Sequence, residues 1–324
     1  MKKFILLTVV LSLLVGITAF AKDPAYPTKP ITIICPWSAG GGTDNTARFL
    51  AGLLSKELGV PVNVVNKTGG NGAVGHMEGA MAAPDGYTIT NITFELNTLK
   101  YLGYANMTPA DIIPIFQFNE DPAALSVQAN SPYKNVNDLL NAIKSKPAGT
   151  FLFSGSVIAC AWDLPRVQML MAAGIDPKSV KFIPTQGGAA PAITELLGGH
   201  VDAVVCSYPE IAPQVEAGKI RTIAVFSDER VPLYPNIPTL KEQGINVSGG
   251  TWRGFAVPLK TPEYVIKTLT EAMKKVTASK EFVDFMNKNM FGIKIRDQQE
   301  FTAFITDQFK TLEGVMQAAG YLKK

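Results

Sequence analysis

The residues best suited to chemistry form the run Cys35-Pro36-Trp37-Ser38-Ala39-Gly40-Gly41-Gly42-Thr43-Asp44. Three adjacent glycines let a backbone turn sharply and bring its N–H groups close to a ligand. Before it, Ile31–Cys35 reads as a strand. After it, Thr43–Leu58 reads as a helix with Ala47, Leu50, Ala51, Leu54 and Leu58 on one face. A helix N-terminus offers unpaired donors and a partial positive charge, so this strand, loop and helix could together cradle an anion. The same residues also suit a plain tight turn with Thr43 or Asp44 as N-cap. No Lys-Ser/Thr follows the glycines, which excludes a Walker-type phosphate loop.

A second loop, Gly70-Asn71-Gly72-Ala73-Val74-Gly75, fits the dinucleotide pattern G-x-G-x-x-G, with Glu95 twenty residues beyond Gly75. It follows the second strand rather than the first, and no cofactor is expected. Other catalytic constellations are missing. Only His76 and His200 exist, and there is no G-x-S-x-G, H-E-x-x-H or C-x-x-C. The carboxylates are isolated and give no positive support for an acid pair of the glycosidase kind. Cys35, Cys160 and Cys206 match no zinc spacing, so no metal is expected. A Cys160–Cys206 disulfide and three buried free thiols both remain open, the thiols being the simpler reading.

These loops need elements to hold them, and the chain begins by declaring a compartment. Lys2 and Lys3 precede the apolar run Phe4–Phe20, and Ala19-Phe20-Ala21 offers small residues where a signal peptidase reads. Cleavage after Ala21 and a periplasmic location are expected, leaving 303 of the 324 residues. The mature chain carries 28 basic and 27 acidic residues, a balance with no electrostatic footprint for nucleic acid.

Short apolar runs alternate with amphipathic stretches throughout, the signature of α/β architecture with parallel strands. Strands are predicted at Val60–Val65, Tyr87–Phe94, Phe151–Ser154, Val180–Ile183, Val201–Cys206 and Ile220–Phe226. Two further strands, Ile112–Phe118 and Ala124–Val127, flank a predicted turn at Asn119–Pro122. Helices are predicted at Ala73–Ala83, Val136–Lys144, Asp163–Ala173, Ala189–Leu197 and Ile211–Ala217, with two long ones, Glu263–Thr277 and Gln298–Ala318, at the end. No Pro/Gly/Ser-rich linker separates sequential domains. Two interleaved lobes are expected instead, 22–122 with 227–324 and 123–226, the chain crossing at Asn119–Ala124 and returning near Phe226–Asp228. A cleft between such lobes is a usual place for a small ligand.

Several motifs in order now carry a resemblance. They are Tyr26-Pro27-Thr28-Lys29-Pro30-Ile31, the loop Pro36…Gly40-Gly41-Gly42-Thr43-Asp44, and Asn66-Lys67-Thr68-Gly69-Gly70-Asn71-Gly72. Ala83-Pro84-Asp85-Gly86-Tyr87-Thr88, Leu196-Leu197-Gly198-Gly199-His200-Val201-Asp202 and Pro235-Asn236-Ile237-Pro238-Thr239 follow. Over nearly all of the mature chain the sequence resembles the substrate-binding proteins of tripartite tricarboxylate transporters, also called the Bug family.

The resemblance implies a type II periplasmic-binding fold, α/β, with two lobes joined by two crossing strands and closing on a small carboxylate. It implies no enzymatic activity, a monomer, and delivery of ligand to one large and one small integral membrane subunit. The ligand-binding loops it implies are Trp37, Ser38, Ala39, Gly40, Gly41, Thr43 and Asp44, opposed by Ser154, Gly155, Ser156, Ala159 and Cys160. Thr185, Gly187 and Ser207 should border the same pocket. Arg253 is a candidate for a second carboxylate, with a surface or supporting salt bridge as its alternative. Trp37, Trp162 and Trp252 are candidate walls or core residues. The second-lobe loop Ser154–Ala161 departs from the glycine- and serine-rich stretch of many relatives. It thereby points to a ligand with an apolar or aromatic portion, and to specificity residing there.

Overall fold

The computed structural model describes residues 24–186 and 188–323, so the signal-peptide reading and Gly187 lie outside the described residues. In chain order the first elements are β1 (Ile31–Cys35), α1 (Gly42–Leu58), β2 (Val62–Asn66), α2 (Ala73–Ala80), β3 (Thr88–Thr93) and β4 (Ile112–Gln128). Next come α3 (Val136–Ser145), β5 (Leu152–Ser154), α4 (Asp163–Ala172), β6 (Lys181–Ile183), α5 (Ala189–Leu197), β7 (Ala203–Ser207), α6 (Tyr208–Glu216) and β8 (Ile220–Val225). The chain closes with β9 (Gly250–Pro258), α7 (Glu263–Thr277), α8 (Lys280–Lys288), β10 (Ile293–Arg296) and α9 (Gln298–Ala319).

The strand order is β2-β1-β3-β9-β4-β7-β5-β6, with β8 and β10 also pairing with β4. β1 pairs in parallel with β2 and β3, and β5 in parallel with β6 and β7. Helices cover such βαβ units on both faces, which is why β1 is apolar at every position but Thr32 rather than alternating. The sheet is mixed rather than all parallel, because β4 and β9 run antiparallel to their neighbours.

The expected turn at Asn119–Pro122 does not form. β4 is a single strand of 17 residues, and Asn119, Glu120, Asp121 and Pro122 pair with Arg253, Trp252, Thr251 and Gly250 of β9. The polar run that suggested a turn is instead a strand segment whose Asn119 and Asp121 side chains are buried and hydrogen-bonded. The first part of β4 pairs with β9 and β10, and its last part with β7 and β8. One strand thus serves both halves of the sheet. β9 went unread in the sequence because buried positions fill its whole length and leave no alternation.

After β8 the chain does not leave the second half at once. Val225 pairs with Thr239, Leu240 donates to the Val225 carbonyl, and Gln243 bonds the Val136 N–H at the start of α3. It rejoins the first half at Gly250, where a Cβ would lie 2.1 Å from the Asp121 carbonyl. All three cysteines are free thiols and buried.

Candidate functional site

The loop after β1 is shaped by Asp44, one of its predicted ligand groups. The Asp44 carboxylate accepts the Gly40 N–H (2.9 Å) and bonds from Arg48 Nε (3.0 Å) and Asn66 Nδ2 (2.8 Å). Burial pushes this carboxyl up, yet the bonds from Arg48, Gly40 and Asn66 outweigh it and hold the group below the usual range. Asp44 therefore faces away from the cleft and fastens the loop. Gly40 sits at φ +84°, a conformation that side-chain-bearing residues rarely adopt. The N-cap of α1 is Gly41, which supplies no side-chain acceptor, and the first-turn N–H groups at Gly42 and Thr43 have no intrahelical partner. They open onto a cavity of about 430 Å³ between the two halves of the sheet, within the size range of small-molecule sites.

Arg253 of β9 lies beside them, 3% exposed. It is neither on the surface nor free to swing. Its Nη1 donates to Asp121 Oδ2 (2.7 Å) and to Asn119 Oδ1, and its Nε donates to Thr43 Oγ1 (2.9 Å). The Phe291 ring lies 5.8 Å from the guanidinium carbon. Nη2 meets no acceptor among the described residues, and a Cβ built on Gly42 would lie 2.9 Å from it. One cationic donor and the open end of a helix thus meet at one point on the cavity wall. That is an arrangement for an anion.

The opposite wall is built mainly by helix starts. Gly188, at φ 100° and ψ −156°, caps α5 without a side-chain bond, and Ala189, Ala190 and Ile193 of that helix line the cavity. Pro209 and Glu210 from the first turn of α6 join them. Trp37, Trp162, Ser156 and Glu95 complete the middle. Trp252 is a core residue, packed edge-on against Phe301 and bonded to Gln308.

Two acids stand out, Glu95 buried and Glu210 half-buried. Glu95 accepts from Thr93 Oγ1 (2.7 Å) and from the Ala161 N–H (3.2 Å). Glu210 accepts from Ser207 Oγ (2.7 Å). Burial pushes both carboxyls above the usual range, against these hydrogen bonds and the nearby charge of Arg253. Water reaches Glu210 through the cavity, but protein surrounds it closely enough to desolvate it.

Of the residues predicted for the site, the cavity wall takes Trp37, Ser38, Ala39, Gly40, Gly41, Thr43, Ser156 and Arg253. The remaining described ones sit behind it. Ser154 donates to the Ile183 carbonyl, and Gly155 lies so close to Val205 that a Cβ would be 2.5 Å from its carbonyl oxygen. The Ala159 N–H donates to Asp163, Cys160 is buried, Thr185 donates to the Gly188 carbonyl, and Ser207 serves Glu210. The loop Ser154–Ala161 is thus spent mostly on packing, and its apolar residues do not supply an apolar wall. Ile193, Pro209 and Phe291 do.

Sequence reasoning missed Glu210, Thr251, Asn289, Phe291 and the first turn of α5, although it expected the turn ending in Gly188 at the pocket, and it met Glu95 only as part of a dinucleotide pattern. Ser207 and Pro209, a cap residue and a first-turn proline directly after a strand, were the available signal for a helix starting at Tyr208, with Glu210 in its first turn. The dinucleotide pattern itself has a packing cause. A Cβ at Gly75 would lie 2.7 Å from Pro36 Cα, so this glycine lets α2 sit against the loop that follows β1.

A family model described as "Tripartite tricarboxylate transporter family receptor" matches residues 46–321. The crystal structure of a TctC solute-binding protein from Polaromonas is 33% identical, with a TM-score of 0.72, covering 90% of this chain and 99% of that one. Rpa4515 of R. palustris, solved with adipate, is 25% identical at a TM-score of 0.83, covering 91% of this chain and 99% of that one. Protein BugT of Bordetella pertussis is 27% identical over 94% of each chain.

Proposed function

The chain belongs to the tripartite tricarboxylate transporter receptor family, whose members are substrate-binding receptors and not enzymes, and on that premise we propose that it captures a small carboxylate between two lobes and delivers it to a membrane transporter. The observation that carries the carboxylate is the meeting of the uncapped α1 N-terminus with Arg253 Nη2. A carboxylate there receives charge-assisted hydrogen bonds from the guanidinium and from the N–H groups of Gly42 and Thr43. The adipate held by the R. palustris relative supports the same ligand class.

The lobes we propose are residues 24–122 with 250–323, and residues 123–249. β4 and the segment entering β9 are the two crossings, and closure about them would bring the start of α5 toward the start of α1. Residues 1–21 are proposed as a cleaved export signal, and the mature receptor as a periplasmic monomer.

A melting-temperature screen of the chain lacking residues 1–21 against mono-, di- and tricarboxylates tests the reading. A ligand at about 100 times its Kd contributes about 2.7 kcal/mol, which raises the melting temperature by about 5 °C. Calorimetry should give stoichiometric binding without turnover. No response to any carboxylate would refute the reading. Delivery is tested by uptake of labelled ligand into vesicles carrying the integral subunits, which should depend on added receptor.

A further inference from the structure

The charges on the cavity wall are unbalanced for a ligand that is only anionic. Among the described residues the wall carries Arg253, Glu95 and Glu210, and Arg253 is already paired with Asp121. Whenever those acids are ionised, a carboxylate entering a pocket with one neutralised cation meets net repulsion unless it brings positive charge of its own.

The free valences have the same polarity. Arg253, 3% exposed, leaves Nη2 without an acceptor at the α1 end. Glu210 accepts only from Ser207, at the start of its own helix, and has no cationic partner among the described residues. No ion pair joins Arg253 to either glutamate, although both acids feel its charge. A donor end and an acceptor end therefore face one cavity without satisfying each other.

Hydrogen-bond donors already face both acids. Glu95 receives a hydrogen bond on each oxygen, from Thr93 Oγ1 and the Ala161 N–H, and Glu210 receives one from Ser207. Donors aimed at a carboxylate favour its charged form, while burial opposes it. Neither acid has an ion-pair partner among the described residues, and a cation placed between them would offset the burial that pushes both carboxyls up. Two indoles share the wall with Glu95. Trp37 donates to Thr93 Oγ1, which donates on to Glu95, and Trp162 follows the Ala161 whose N–H binds it. Indole rings are the best aromatic partners for a cation.

Resting on the carboxylate reading above, we propose that the ligand is a zwitterion of the amino-acid class, its carboxylate on the α1 N-terminus and Arg253 and its cationic nitrogen on Glu210 and Glu95. The glutamates are then the specificity determinants, rejecting plain mono- and dicarboxylates by leaving both acids without a counter-ion.

Matched pairs differing only in the amino group test this by calorimetry on the chain lacking residues 1–21. Suitable pairs are glutamate and glutarate, phenylalanine and 3-phenylpropanoate, 4-aminobutyrate and butyrate, and 6-aminohexanoate and hexanoate, with adipate added as a plain dicarboxylate. The tightest ligand of the panel should be an amino compound, at least tenfold tighter than its partner. In Glu210→Gln and in Glu95→Gln, near-isosteric changes whose folding is checked by melting temperature, that ratio should fall below threefold, because the amino compound weakens and its partner strengthens.

A ratio below tenfold in the unmodified protein, or a plain carboxylate as the tightest ligand, would overturn the zwitterion while leaving the carboxylate reading in place. A ratio that survives both substitutions would overturn the role of the glutamates. Binding of neither member of any pair, nor of adipate, would remove the carboxylate reading and this inference together.

Discussion

Replacing Gly42 by alanine should uncouple folding from binding. Gly42 is the first residue of α1 and its φ is not positive, so alanine fits the backbone, and helix propensity favours it over glycine by up to about 1 kcal/mol. The added Cβ would stand 2.9 Å from Arg253 Nη2 and 3.2 Å from Phe291 Cε1. A free arginine tip would swing aside, but this one is tethered by Asp121, Asn119 and Thr43. The methyl group therefore fills the place where a carboxylate would touch both Nη2 and the helix end. Losing one hydrogen bond to a charged group costs about 1.5–3 kcal/mol, or roughly 10- to 150-fold in Kd.

The assay is calorimetry with the ligand that gives the largest melting-temperature rise, alongside the melting temperature of the empty protein. Gly52→Ala is the control, since its Cβ would meet nothing within 4 Å on the same helix. We expect Gly42→Ala to melt within about 3 °C of the unmodified protein while binding at least tenfold more weakly, and Gly52→Ala to bind normally. A Kd for Gly42→Ala within twofold of the unmodified value would refute the seat at α1 and Arg253.

Asp121→Asn should destabilise the protein by about 3–5 kcal/mol, measured by urea unfolding, because it leaves the buried Arg253 guanidinium without its counter-charge. His76 is fully enclosed, with Nδ1 against the Gly72 carbonyl and Nε2 accepting from the Thr93 N–H, and burial lowers its pKa from 6.5 to about 4. The unfolded state then binds the proton first. The stability contributed by the neutral ring is whole above pH 6.5 and falls away toward pH 4, by about 3 kcal/mol, and His76→Gln should lose that part of the pH slope. Burial pushes the Cys35 thiol up to about 11 and holds Cys160 and Cys206 well above the usual range. None of the three should react with a disulfide reagent at pH 8 in the folded protein, and all three should in denaturant; one fast thiol in the folded state would contradict their burial.

How much of this was legible in the sequence depends on the range of the interaction. Helices such as Ala189–Leu197 and Glu263–Thr277 could be read to the residue, because amphipathic spacing and end signals are local. The glycine loop after β1 was legible for the same reason, since strand, glycines and helix start are contiguous. The polar stretch Asn119–Pro122 was misleading because its partners, Gly250 to Arg253, lie more than 120 residues away and only strand pairing brings them together.

By itself, the sequence determined the α/β alternation and the loop that presents the first helix end, since both follow from neighbours along the chain. Tertiary structure alone decided which charges share the cavity. It turned Asp44 inward, set Arg253 against the helix start, and brought Glu95 and Glu210 to one wall. Electrostatic fit depends on distance and burial across the fold, and spacing along the chain encodes neither.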